Sequence, residues 1–266
     1  MKKYLLAAAL ISGFAQSATI TLTPEEKSAG WILLFDGESM KGWVDPRQKS
    51  PPGDSWTIED NCLKATSKPH IREDLFSRQT FRDFELVFDW RISPAGNSGV
   101  KYRIQDHFVV LPRAEGERFE QGVQRTLQSP RAKRHQDQGE DYVVGFEYQI
   151  VDDAGNKDAR SSQTHMTGAL YDMVPPTAAT PRRAGEFNQS RIIVKGNHVE
   201  HWLNGAKVVD STLDSPEAIA GIQKRWSLSP TMVEMLSKQP KKDCPISLQN
   251  HNDEAWFRNI KIRRLK

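Results

Sequence analysis

Cysteine is scarce in this 266-residue chain, which carries only Cys62 and Cys244. That excludes a four-cysteine zinc ribbon, an iron–sulfur cluster and a disulfide-dense miniature scaffold. Net charge is nearly absent as well, with 37 Lys and Arg against 34 Asp and Glu. A nucleic-acid or anionic-membrane partner would need a clustered basic face, which such a balance does not argue for. The apolar run from Tyr4 to Phe14 falls well short of the ~20 residues that span a bilayer. Neither a glycine-rich phosphate loop nor a His-Glu-x-x-His pair occurs, so P-loop, dinucleotide and zincin chemistry drop out. What is present suits one sizeable apolar core: 37% hydrophobic residues, with seven Trp and eleven Phe.

The N-terminus reads as a secretory signal peptide over residues 1–17. Lys2 and Lys3 precede the apolar run, and the small residues Ala15 and Ser17 place cleavage after Ser17. The expected mature unit is one domain, 18–266, exported to a periplasm or secreted, with no membrane insertion after cleavage. Without the two lysines the charge falls to about +1. An oxidising compartment also permits a Cys62–Cys244 disulfide closing nearly the whole domain.

Past a capped turn at Thr23–Lys27, the pattern is one of short strands. Phe84, Leu86, Phe88, Trp90 and Ile92 alternate with Glu85, Val87, Asp89 and Arg91, which is period two over the segment 84–92. Val100, Tyr102 and Ile104 repeat the pattern, as do Phe146, Tyr148 and Ile150. Asn204-Gly205 between two further runs is a strong hairpin signal, because both residues tolerate positive φ. Many short strands without βαβ alternation predict an all-β, antiparallel sandwich or barrel. Segments 112–141 and 215–242 break the strand pattern, the second with helix-like spacing. Both are expected as partly ordered loops around a site.

Polar residues on strands beside aromatics are the informative ones. In Gly96-Asn97-Ser98-Gly99 the glycines allow a tight turn, while Asn97 and Ser98 can hold its shape or contact a polyol. Arg103, further along the same strand, has a planar fork suited to a carboxylate or to sugar oxygens. Glu147 and Gln149 share one face of the strand 145–151, and a one-residue bulge would bring Asp152 to them. That strand resembles the Glu-x-Asp-x-x-Glu strand of retaining β-glucanases, with Gln149 in place of the middle acid. Glu186-Phe187-Asn188 and Trp202 form a third cluster. Ser247-Leu248-Gln249-Asn250-His251 is the fourth, and it sets an imidazole where a strand turns into a polar loop.

Taken in order, Gly30–Gly37, Gly42-Trp43, Gly96–Gly99, Gly145–Ile150, Gly168–Asp172, Glu186–Asn188, Trp202–Gly205 and Leu248–His251 resemble the 3-keto-disaccharide hydrolase family. The likeness covers roughly residues 29–266. It departs from the family's usual Leu-Gln-Asp-His-Gly at Asn250 and Asn252. The resemblance implies a concanavalin A-like jelly roll and an exported enzyme of carbohydrate metabolism, acting on a small saccharide oxidised to a ketone at ring carbon 3. On that reading Glu147 and His251 serve as base or acid. Asn97, Ser98, Arg103, Gln149, Asn188 and Gln249 bind substrate. A divalent cation could assist the enolate through Glu147, His251 or a nearby carboxylate, although no ligand spacing demands one. Two rival readings are a non-catalytic carbohydrate-binding module and an ordinary retaining glycosidase. The discriminator is whether Arg103, Glu147, Gln149 and His251 share one cleft.

Overall fold

The computed structural model describes residues 20–45, 53–70, 72–129, 141–238 and 242–266. The expected signal peptide lies outside them. Two antiparallel sheets pack face to face as a jelly-roll sandwich. The larger sheet holds β1 (Trp31–Leu33), β3 (Trp56–Glu59), β4 (Cys62–Ala65), β6 (Phe84–Ile92), β9 (Asn188–Lys195), β10 (His198–Leu203), β11 (Ala206–Thr212) and β13 (Ala255–Arg264). Its order is β11-β10-β9-β6-β13-β4-β3, with β1 also on β13. The smaller sheet runs β2 (Trp43–Val44), β5 (Leu75–Phe81), β12 (Cys244–Leu248), β7 (Asn97–Val109), β8 (Asp141–Val151).

The alternation on β6 does what period two requires: Phe84, Leu86, Phe88, Trp90 and Ile92 are all buried between the sheets. They meet the inward residues of β7 and β8, with Phe88 edge-on to Tyr148 at 5.9 Å and Phe84 edge-on to Tyr102 at 6.3 Å. Polar atoms caught in this core are paired. The Trp90 indole donates to Ser190 Oγ at 2.7 Å, and Ser190 Oγ donates to the Tyr148 hydroxyl at 2.7 Å. His201 donates from Nδ1 to the Gly168 carbonyl and accepts at Nε2 from Tyr102, both at 2.9 Å. Burial pushes this imidazole down to about 4, so it is a neutral structural group. The Asn204-Gly205 hairpin forms as expected, with Asn204 at φ 49° and Gly205 at 85°.

The permitted Cys62–Cys244 bridge is not formed; both cysteines are buried and outside any disulfide. Cys62 lies on β4 with Sγ 3.4 Å from the Asp60 carbonyl, and burial pushes it up to about 11. Cys244 lies on the other sheet, packed with Val44, Phe76, Ile104 and Val143. Three helices lie within the segments that broke the strand pattern: α2 (Phe119–Gln128), α3 (Pro216–Arg225) and α4 (Pro230–Ser237). A short α1 (Pro24–Ser28) precedes them in the chain, closed by the expected Thr23–Glu26 capping box. None of the described helices is long and apolar enough to cross a membrane.

Candidate active site

The outward face of the smaller sheet carries the polar residues that alternate with its core. Cross-strand register aligns Phe76 of β5, Ser247 of β12, Lys101 of β7 and Glu147 of β8 in one row. Beside it Gly99 pairs with Gln149, and the Gln249 amide bonds the Gly99 carbonyl at 2.9 Å. Helices α2, α3 and α4 rise beside these rows and enclose a cavity of about 390 Å³. That is within the usual size of a small-molecule site.

Glu147 is the central group. Its carboxyl lies over the Cα of Gly99, where a Cβ would fall 2.2 Å from Oε1. Glycine is therefore required at 99 to leave room for the acid. Loss of hydration raises the carboxyl to about 7; Lys101 opposes this, and Asp74, Asp172 and Asp158 add to it. Lys101 is 5% exposed and stands between two acids, with Nζ 3.5 Å from Asp74 and 4.0 Å from Glu147. Asp74 is fixed by the Ser247 hydroxyl at 3.1 Å and the Asn250 amide at 3.2 Å. Gly99→Ala is expected to swing the carboxyl away and lower kcat by about 100-fold, as misplacement of a reacting group does. Steady-state kinetics, with a thermal melt to confirm folding, checks it.

Two carboxamides line the same cavity as this carboxyl. Gln149 is 1% exposed, and among the described residues neither its Oε1 nor its Nε2 has a hydrogen-bond partner; Gln249 Oε1 also lacks one. Buried polar groups are paired as a rule, so these are atoms a ligand would satisfy. His251 sits on the cavity's open side, its residue exposed. Partial loss of hydration, then the cations Arg72 and Lys101, hold its imidazole below the ordinary histidine value and hence neutral at pH 7.

Glu147, His251, Gln149, Gln249 and Asn97 thus line one cavity, as expected. Ser98, Arg103 and Asn188 do not. Ser98 faces inward, its hydroxyl bonded to the Gln249 carbonyl at 2.7 Å. Arg103 leaves the face that carries Lys101 because the β7–β8 register breaks between Tyr102 and Asp106, where Arg103 adopts φ of 51°. Its guanidinium instead bonds the Lys242 and Gly196 carbonyls and Asp83. Asn188 belongs to the other sheet, where its Oδ1 accepts from the Arg182 amide and the Asn204 side chain. Asp152 does not join Glu147 either: its carboxylate caps the Ala95 amide at 2.7 Å. Trp202 lies outside the cavity, its indole bonded to Glu200. Asn250, where the sequence departs from the family pattern, spends its amide on the Ser55 and Thr66 carbonyls.

The sequence reading missed a charged clamp on the helix side. His165 bridges two acids, with Nδ1 2.9 Å from Asp158 and Nε2 2.7 Å from Asp172. These hydrogen bonds raise it to about 9, so it is an imidazolium at neutral pH. Tyr171 stacks on its ring and donates to Asp158 at 3.0 Å. Asp172 also takes Arg225 Nε of α3 at 3.0 Å, and Arg225 pairs with Glu120 of α2. Gly221 lets α3 sit on this loop, since a Cβ there would meet the backbone of Asp172 and Met173 at 2.6 Å. Tyr171 and Asp172 fall inside the Gly168–Asp172 motif, the one signal that could have exposed the clamp.

Among the described residues, three metal-ligand atoms converge only at His198, Glu200 and Asp210, on the β10–β11 hairpin. Lys207 already pairs with Asp210 and reaches Glu200 at 3.5 Å there. Glu147 and His251 are part of no such set.

This two-sheet sandwich and its cleft have counterparts among known proteins. The chain belongs to the family of 3-keto-alpha-glucoside-1,2-lyase-like domains, which it matches over residues 30–263. A 3-keto-disaccharide hydrolase of Bacteroides thetaiotaomicron is 27% identical to it, covering 89% of this chain and 79% of that protein. Two crystal structures of glycosyl hydrolase candidates from Parabacteroides distasonis share the fold. One superposes with a TM-score of 0.70 at 24% identity over 92% of this chain and 99% of the other. The second gives 0.56 at 20% identity, over 88% and 99%.

Proposed function

We propose that this cavity cleaves 3-keto-glycosides by elimination and rehydration, with Glu147 as the base. The observation that carries the reading is the Glu147 carboxyl, raised to about 7 and set over Gly99 between a lysine and an unpaired amide. A base whose pKa matches the working pH is the most effective at taking a carbon-bound proton. A ketone at C3 acidifies the C2 proton. Glu147 removes it, and the C2–H electron pair passes to the C3 oxygen, where Lys101 Nζ and Gln149 Nε2 stabilise the enolate. Return of that pair forms the C1–C2 double bond and breaks the C1–O bond. The aglycone leaves with a proton from water at the open side, where neutral His251 holds the leaving oxygen. The hydroxide left by that water adds at C1, and Glu147, its proton by then exchanged with solvent, protonates C2. The net reaction is hydrolysis.

The same sequence segment that reads as a signal peptide supports an exported enzyme. The comparison that tests the chemistry sets a 3-keto-glucoside against its unoxidised parent, with and without chelator. Cleavage of the ketone at least ~100-fold faster agrees with base catalysis. Equal rates on both would instead favour a retaining glycosidase, and glycan binding without product a binding module. Loss of turnover on chelation would add a divalent cation to the enolate-stabilising groups.

A further inference from the structure

The cavity has a polar end around Glu147 and a helix-lined end with no part in the reaction above, and the two meet at Tyr142, whose ring lies 5.6 Å from Lys101 Nζ. We infer that this helix-lined end is an aglycone subsite for an aromatic or apolar aglycone, an inference that rests on the sugar ring occupying the Glu147 end. The wall there consists of Phe119 of α2, Tyr142 of β8, Trp226 after α3, and Met232 and Leu236, one turn apart on α4. The three rings brace one another. Phe119 lies 5.3 Å edge-on to Tyr142, Tyr142 lies 5.8 Å edge-on to Trp226, and Phe119 is 6.3 Å from Trp226. The Arg225 guanidinium packs 4.8 Å from the Trp226 ring and 5.7 Å from Phe119. Its own hydrogen-bonding capacity goes to Asp172 and Glu120.

Hydrogen-bonding supply decides between occupants. At the Glu147 end, Gln149 and Gln249 hold unpaired polar atoms for ring hydroxyls. At the helix end, Phe119, Met232 and Leu236 offer none and Arg225 Nε and Nη1 pair with Asp172 and Glu120, leaving the Tyr142 hydroxyl, the Trp226 indole and Asp141 Oδ2, next to Tyr142 in the chain, as the polar atoms there. A second sugar ring placed there would bury several hydroxyls against hydrocarbon. An aryl ring would bury apolar surface and meet aromatic edges instead. Gly221 and the Arg225 ion pairs fix α3 to the Asp172 loop, so the wall is built in place before a ligand arrives.

The test compares kcat and KM for a 3-keto phenyl glucoside and a 3-keto glucosyl disaccharide, in the wild type and in Phe119→Ala and Trp226→Leu. Preference for the aryl substrate by about 10-fold in kcat/KM is expected, expressed mainly in KM. Phe119→Ala should raise KM for the aryl substrate about 10-fold more than for the disaccharide. Equal losses on both substrates, or a wild-type preference for the disaccharide, would overturn the subsite. Trp226→Leu keeps an apolar filler and gives a second reading if Phe119→Ala fails to fold. If neither ketone is cleaved, the elimination chemistry fails rather than the subsite. Calorimetric titration with phenyl glucoside then decides: tighter binding than the plain disaccharide, weakened in Phe119→Ala, upholds it, and equal binding sinks it.

Discussion

Glu147→Gln is expected to reduce turnover of a 3-keto-glycoside by about 10³-fold, within the span usual for loss of a general base. The amide fills the same space over Gly99 but cannot accept the C2 proton. Stability should move the other way. A carboxyl raised from 4.5 to about 7 costs the folded state up to about 3 kcal/mol once pH exceeds both values. The sign follows from the raised value: the unfolded chain releases this proton near pH 4.5, so the native state loses stability as pH climbs from there to 7. Glutamine has no such penalty. The variant should therefore melt higher than wild type at pH 8, with the gap closing toward pH 4.5. In the wild type, kcat/KM should rise through pH 7 as Glu147 ionises, and the variant should lack that limb. Kinetics and melts across pH 4.5–8 measure all three.

Lys101→Met is the second large effect. It removes the ammonium between Asp74 and Glu147 while preserving most of the apolar stem. Both acids then lose the largest influence that lowers their pKa. Breaking such a buried pair typically costs about 3–5 kcal/mol, because a charge is left uncompensated. Less is expected here, since both acids can take up a proton. The rising limb of the pH–rate profile should move above 7, and turnover at pH 7 should fall by about 100-fold through the combined loss of ionised base and enolate stabilisation. Restoration by Lys101→Arg would be incomplete, because a planar fork does not reproduce a compact ammonium in so small a space.

Much of this arrangement was legible in the residues. The alternation of Phe84–Ile92 fixed which side of β6 is core, and the same alternation in Phe146–Ile150 sent Glu147 and Gln149 to the opposite face. Asn204-Gly205 gave the hairpin. Three of the four residues expected to share a cleft do so. Arg103 is the exception, because the irregularity after Tyr102 has no residue signature: nothing in Lys101-Tyr102-Arg103 announces a left-handed arginine. Asn188 and Trp202 were misplaced for another reason. Asn188 is buried at the start of β9 and Trp202 half-buried on β10, both in the larger sheet, and sequence order does not tell which sheet a strand joins. The clamp of Asp158, His165, Asp172 and Arg225 was hidden because its members come from loops and a helix, where no period links them.

The role of Glu147 is tested most directly by isotope exchange at the reacting carbon. A 3-keto-glycoside cleaved in deuterium oxide should yield a 3-keto sugar carrying deuterium at C2, appearing at the rate of aglycone release and well above the enzyme-free exchange rate. Glu147→Gln should lose both together. Release of aglycone at the wild-type rate with C2 still carrying its original proton would contradict the elimination route and its base.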